Sequence, residues 1–198
     1  NDMNEPAVME VPNKTFPMDV RHDYDGNPCS HRKAHNIYGT QMARATYHGV
    51  KRFAYPKRPF VITRSAYAGA QRYTSSWTGD NVATWEHLWV ANIQVQRMSI
   101  SGMGFTGSDI GGFAEQPSGE LYARWIQLGV FHPFCRTHSS GDHGDQEPWA
   151  FDDEVIDITR KFVSLRYQLL PYLYTMFYQY IEEGIPMLKP LVYFDQDD

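Results

Sequence analysis

Two acidic clusters carry most of the chemistry this chain could perform. The first is Asp2-Met3-Asn4-Glu5, closed by Pro6. Proline has no N–H to give to a sheet ladder, so it suits the point where a buried strand runs out into a loop. Loops at strand ends are where parallel α/β folds hold their reacting groups. The same composition also fits a plain surface turn. The second cluster is Ser76-Trp77-Thr78-Gly79-Asp80-Asn81, one carboxylate among small residues with an indole just before it. Gly79 admits backbone shapes that other residues resist. A surface turn, or a cap for a helix starting near Thr84, is the competing role for Asp80. Two carboxylates on separate loops are what cleavage of a glycosidic bond requires. One attacks or stabilises the anomeric carbon and the other protonates the leaving oxygen.

Those loops need elements to hold them. The polar stretch from Pro12 to Lys33 is expected as one long loop, of the kind that walls a site. Asn36 is expected to cap a helix carrying Ile37, Met42, Ala45 and Val50 on one side. Residues 59–63 read as a short buried strand that delivers Arg64 at its end. A second helix is expected over 83–98, followed by a strand-like, glycine-rich segment over 99–104. Residues 119–128 read as helical and 129–134 as extended. A long helix is expected over 152–183, with Leu165, Leu169, Leu173 and Phe177 at four-residue spacing, Pro171 kinking or dividing it, and Gly184 stopping it. Residues 188–194 read as a final strand. Helix and strand alternate, which is the signature of βα units around a parallel sheet. A closed barrel takes about 250 residues and eight strands. With four or five strands, the expected class is α/β, the C-terminal half of a (β/α)8 TIM barrel, with residues 1–198 as one partial catalytic domain.

Composition narrows the functions. A net charge of −5 argues against nucleic acid, which selects a basic face. No apolar run approaches the roughly 20 residues that span a membrane. These residues hold no charged-then-apolar leader, so any export signal is expected upstream of residue 1. Cys29 and Cys135 match no zinc spacing and are read as free thiols. Aromatic residues make up 15% of the chain; most are expected in the core, although a sugar cleft would also use flat rings.

In its motifs the chain resembles glycoside hydrolase family 31, the α-glucosidase family. Asp2-Met3-Asn4-Glu5 resembles the family's nucleophile motif and Trp77-Thr78-Gly79-Asp80-Asn81 its acid/base motif. Phe60-Val61-Ile62-Thr63-Arg64-Ser65 resembles the strand with its substrate-binding arginine. Gly107-Ser108-Asp109-Ile110-Gly111-Gly112-Phe113 and the stretch from Trp125 to His138 follow in the family's order. The resemblance implies a retaining exo-acting α-glucosidase that removes terminal glucose from α-glucoside oligosaccharides and needs no cofactor or metal. Asp2 would be the nucleophile and Asp80 the general acid and then base, with the carboxyl groups about 5–5.5 Å apart as in retaining enzymes. Arg64 and His138 would bind sugar hydroxyls, and Asp109 would orient Arg64 or His138. Trp77 and Phe113 would form apolar walls, and Met3 would line the neighbouring subsite. An ion pair between Arg64 and Glu5 or Asp109 is compatible with the same positions, and a metal site among the His and Asp residues of 138–145 is a rival to sugar binding there.

The tryptophan that usually precedes the nucleophile motif, the first half of the barrel with an acidic sugar-binding residue, and the accessory β-domains are expected upstream of or outside these residues. An isolated chain is therefore expected to be inactive. An α-xylosidase, transglucosidase or α-glucan lyase would use the same carboxylates. A carbohydrate-binding subunit without turnover is the alternative from another class; such a protein would tolerate loss of the acid, and both Asp2 and Asp80 are present. Compartment and oligomeric state are left open.

Overall fold

The computed structural model describes residues 1–196. By internal packing the chain divides into two compact units, Asn1–Ser76 and Trp77–Asp198. Both Cys29 and Cys135 are free thiols. No helix among the described residues is long and apolar enough to cross a membrane.

The first unit is built on one long helix. An antiparallel hairpin, β1 (Arg21–His22) and β2 (Cys29–Ser30), leads straight into α1 (His31–Phe53). The stretch expected as one loop therefore contains a hairpin and the start of a helix. The hairpin turn holds Tyr24, Asp25 and Gly26 in succession at positive φ, a twist that matches tightly paired strands. Asn36 is not the cap, because α1 begins at His31 behind Ser30, whose side chain makes no capping bond. Tertiary bonds do that work: His31 N–H donates to the Val20 carbonyl at 2.7 Å and Arg32 N–H to that of Met18 at 3.1 Å.

The strand expected over 59–63 is reduced to its last two residues, β3 (Ile62–Thr63), which pair in parallel with Ser75 and Ser76 of β4 (Ser75–Trp77). Helix α1 passes very close to the loops beside this pair. A Cβ on Gly39 would lie 2.6 Å from the Ser65 carbonyl oxygen and 2.9 Å from that of Asn4. Glycine is what permits that approach.

The second unit interleaves three helices, α2 (Trp85–Ile100), α3 (Gly119–Gly129) and α4 (Asp153–Glu183), with two-residue strands β5 (Thr106–Gly107), β6 (Asp109–Ile110) and β7 (Arg136–Thr137). Each helix starts on a side-chain oxygen that accepts a first-turn N–H: Thr84 from His87, Ser118 from Leu121 and Asp152 from Val155. The capping role considered for Asp80 thus belongs to Thr84. Strands β6 and β7 pair in parallel, Asp109 opposite Arg136 and Ile110 opposite Thr137. Thr78 N–H donates to the Gly107 carbonyl on β5 at 3.1 Å.

Several expectations are corrected here. Ser99 and Ile100 close α2 and a turn follows, so the strand comes only at Thr106. Residues 130–134 are turns, and β7 begins at Arg136. Residues 191–193 form a 3-10 turn that starts behind Pro190. Short apolar runs do not distinguish strand from turn when no neighbouring strand pairs with them. Pro171 leaves α4 undivided. The carbonyl it deprives of a partner belongs to exposed Tyr167, where water can replace the lost bond. Gly184, at φ 72°, ends α4 as expected.

The core of this unit packs Leu121, Tyr122, Trp125 and Ile126 of α3 against Ala91, Ile110, Val130 and Val155. Trp125 is fully buried and its indole N–H donates to Ser108 Oγ at 3.0 Å, which fixes the residue before Asp109. The aromatic residues do not all lie inside. Trp77 and Trp125 are buried, whereas Trp85, Trp89 and Trp149 are exposed.

Candidate active site

In the first unit the site begins with Asn4, which is completely buried. Its Nδ2 donates to Thr63 Oγ1 at 2.7 Å, and its Oδ1 accepts from the Ser65 N–H at 3.2 Å. One amide thus ties the Asp2–Glu5 turn to the end of β3. Met3, between the two carboxylates, is held at φ 57°. A side-chain-bearing residue is strained there by about 1–2 kcal/mol, and such strain clusters at functional sites.

Arg64 leaves the end of β3 toward this turn. Its Nε and Nη2 donate to the two oxygens of Glu5 at 2.9 and 3.1 Å, a bidentate pair. The same Nε lies 3.2 Å from Asp2 Oδ1, and Nη2 lies 2.9 Å from Met3 Sδ. The bond from Arg64 holds the Glu5 carboxyl below the ordinary carboxylate range, against a smaller opposing effect of burial. Asp2 keeps 62% of its side chain accessible. The result is an accessible carboxylate beside a guanidinium whose orientation a second carboxylate fixes. The Arg64–Glu5 ion pair weighed in the sequence is present, and it is the closer of the two pairs.

In the second unit the site is organised by backbone zippering. The N–H groups of Phe113 and Ala114 both donate to the Asn81 carbonyl, at 2.7 and 3.1 Å, and Ala83 N–H donates to the Ala114 carbonyl at 2.9 Å. Asn81 is buried and bonded to the Thr78 hydroxyl. The loop carrying Asp80 is thereby fastened along the loop carrying Phe113. Gly112 makes this possible: it sits at φ +90°, and a Cβ there would lie 2.6 Å from the Ala83 nitrogen.

Around these loops stand the remaining groups. Asp109 is fully buried and accepts from Arg136 Nε at 2.8 Å. Burial pushes the Asp109 carboxyl up from its ordinary value. Arg136 and His138 oppose that push, and Asp80 adds to it. The Arg136 guanidinium lies 5.0 Å from the Trp77 ring centroid and 5.2 Å from that of Phe134. His138 is exposed and lies against Phe113, ring centroids 5.4 Å apart. Trp77 is 7% exposed, so its ring meets Arg136 and the interior more than solvent.

Within the first unit, Asp2, Met3 and Arg64 come together. Within the second, Trp77, Asp80, Asp109, Phe113 and His138 do. Two contributors were not singled out from the sequence: Asn4 as an anchor, and Arg136 as the partner of Asp109. The available signal for Arg136 was its spacing, two residues before His138, which on a strand puts both on one face. Among the described residues no group of three or more His, Cys, Asp or Glu could hold a metal ion.

Several known proteins resemble this chain. Residues 1–176 match the family model for the glycosyl hydrolases family 31 TIM-barrel domain. The chain is 46% identical over 200 residues to alpha-glucosidase 2 of Bacillus thermoamyloliquefaciens, covering all of this chain and 25% of that protein. It is 43% identical over 199 residues to neutral alpha-glucosidase AB of Homo sapiens, covering all of this chain and 21% of the relative. A solved structure of a glucosidase II alpha subunit bound to alpha3-Glc2 superposes with a TM-score of 0.92 at 40% identity, over 98% of this chain and 21% of that one. The chain therefore spans about a fifth to a quarter of the length of such relatives, and its parallel strand pairs and helices are part of a (β/α) barrel.

Proposed function

Because the chain belongs to glycoside hydrolase family 31, we propose that it supplies the nucleophile, the acid/base and much of the sugar pocket of a retaining exo-α-glucosidase. The observation that carries this reading is the company each carboxylate keeps. Asp2 presents an accessible carboxylate 3.2 Å from the Arg64 guanidinium. Asp80 lies on the loop fastened beside Phe113, within electrostatic reach of buried Asp109, as is His138.

An Asp2 oxygen attacks the anomeric carbon of a terminal glucose while Asp80 gives its proton to the departing glycosidic oxygen. The product is a β-glycosyl ester on Asp2. Asp80, now a base, takes a proton from water, and the water attacks the same carbon and releases Asp2. Two inversions give α-glucose, with net retention. Arg64, kept in place by Glu5, donates to sugar hydroxyls. His138, steadied by the Phe113 ring, binds another. Phe113 and Trp77 give the pocket its apolar side, and Met3 meets the next sugar. Terminal non-reducing glucose of α-glucoside oligosaccharides is the substrate, in keeping with the α-glucosidases among the relatives.

In this reading the chain is the C-terminal part of a catalytic barrel, and residues 1–198 alone do not turn over substrate. Its relatives are four to five times longer, which supports that view. In the complete protein, Asp2→Ala should abolish hydrolysis of an aryl α-glucoside, and azide should restore turnover with a glycosyl azide as product. Undiminished hydrolysis in the variant would remove Asp2 from its role. Turnover by purified residues 1–198 would overturn the partial-domain reading. A panel of aryl α-glycosides with product analysis separates hydrolysis of glucosides from xyloside cleavage, transfer or elimination.

A further inference from the structure

Arg136 has no part in the steps above, yet its guanidinium meets Asp109, Trp77 and Phe134 at once. We propose that Arg136, anchored by Asp109, is a positioning residue that holds the Trp77–Asp80 loop and His138 in working register. The proposal rests on the glycosidase reading given above.

The geometry is that of a pin through three strands. Arg136 opens β7, and Asp109, its parallel partner, opens β6. The bond from Arg136 Nε to Asp109 Oδ1 is 2.8 Å long. The guanidinium sits against Trp77, the last residue of β4, and against Phe134. A guanidinium near a ring face is attracted by the ring quadrupole, more strongly when water is excluded. Asp80 follows Trp77 on the same short loop, and His138 follows Arg136 by two residues. Displacing Arg136 therefore disturbs both the acid loop and the sugar-binding imidazole. A shift of about 1 Å in such groups costs about 100-fold in rate.

Stability alone does not account for the pair. Asp109 is fully buried while the Arg136 side chain keeps 29% of its surface accessible; taking a carboxylate out of water costs several kcal/mol, and apolar replacements often do as well or better. The pair is also incompletely satisfied: Asp109 Oδ2 and Arg136 Nη2 are both buried without a hydrogen-bond partner. One group accepts and the other donates, so the two complement a single hydroxyl or water. Two buried polar atoms left open in this way call for a functional explanation. Arg136, His138 and Asp80 all lie within electrostatic reach of the buried Asp109 carboxyl.

The test uses the complete protein and two substrates, compared by kcat/KM. A 2,4-dinitrophenyl α-glucoside has a leaving group that departs without a proton, whereas an α-linked disaccharide needs one. Asp80→Ala is the reference and should lose at least about 100-fold more on the disaccharide than on the aryl glucoside. Arg136→Gln should follow the same pattern at smaller amplitude, losing about tenfold or more beyond its loss on the aryl glucoside. Arg136→Lys retains the charge facing Asp109 but not the flat face toward Trp77. It should fall between wild type and Arg136→Gln, and it provides the same comparison if Arg136→Gln does not fold. Equal losses on both substrates, alongside a clear difference in Asp80→Ala, would overturn the positioning role and leave the glycosidase reading intact. No difference between substrates in Asp80→Ala would instead defeat the acid assignment.

Discussion

Replacing Gly39 by alanine should destabilise the protein even though it puts a better helix former inside a helix. In a helix interior, Gly→Ala is normally worth about 1 kcal/mol in favour of the folded state. Gly49, in the same helix α1, is a site where nothing opposes that gain, because an added Cβ would meet no atom within 4 Å. Gly49→Ala should therefore stabilise by about 0.5–1 kcal/mol. At Gly39 the Cβ would stand 2.6 Å from the Ser65 carbonyl oxygen and 2.9 Å from that of Asn4. Both are backbone atoms of segments that Asn4 ties together, so neither can swing aside as a flexible side chain would. Overpacking of this kind costs about 1–3 kcal/mol, and two backbone contacts put it toward the upper end. Gly39→Ala should then be destabilised by about 2 kcal/mol net, with a sign opposite to that of Gly49→Ala. Urea denaturation midpoints of the two variants, measured side by side, test the difference. The strain also bears on function. The loop that must yield holds Asp2 through Asn4, so kcat/KM should fall in Gly39→Ala and not in Gly49→Ala. Equal or greater stability in Gly39→Ala than in wild type would refute the close-approach account of this glycine.

Two further predictions concern pH. His31 is fully buried in a chain of imidazoles, 2.9 Å from His22 and 3.0 Å from His35, and burial followed by the two neighbours pushes its pKa down from 6.5. A histidine depressed in the folded state stabilises above the unfolded pKa and less so as pH falls below it. The melting temperature should therefore drop between pH 7.5 and 5.5, and His31→Gln should flatten that slope; an unchanged slope in the variant would exclude His31 as its source. His132 is pushed down to about 4 by burial, with Arg166 adding to the effect, and neither ring nitrogen has a partner. Its contribution should be lost between about pH 6.5 and 4, roughly 3 kcal/mol when complete. His132→Leu should match wild type at pH 7 and exceed it at pH 4.5 in denaturation measurements, whereas a variant that is less stable at both pH values would show that the imidazole has a bonded role.

What could be read in the chain itself was of two kinds. Helices α3 and α4 were legible almost to the residue, because helix signals are local. Apolar residues recur at three- and four-residue spacing, Ser118 and Asp152 bond N–H groups three residues on, and Gly184 takes the left-handed turn. The two carboxylates proposed to react stand out in the sequence because their motifs are contiguous: Asp2 with Met3, Asn4 and Glu5, and Asp80 with Trp77 through Asn81. The start of α1 was misread for the complementary reason. It is fastened by backbone bonds to Val20 and Met18 and not by a capping side chain, so no residue type marks it. The two-residue strands were equally hard to see, since their pairing, and not their composition, defines them.

The pairing of charges was decided only in three dimensions. The sequence offered Arg64 either Glu5 or Asp109 as an ion-pair partner, and it offered Asp109 either Arg64 or His138. Folding brought Arg64 to Glu5 across 59 residues of chain and Arg136 to Asp109 across 27. Such choices depend on strand register and on how closely segments can approach, a helix and a loop at Gly39 and two loops at Gly112. The sequence alone determined the candidate reacting groups and the bounds of α3 and α4, since those are set by neighbours along the chain. The tertiary structure decided which groups hold the reacting ones in place, since Coulomb and hydrogen-bond energies fall off over a few ångströms of space without regard to distance along the chain.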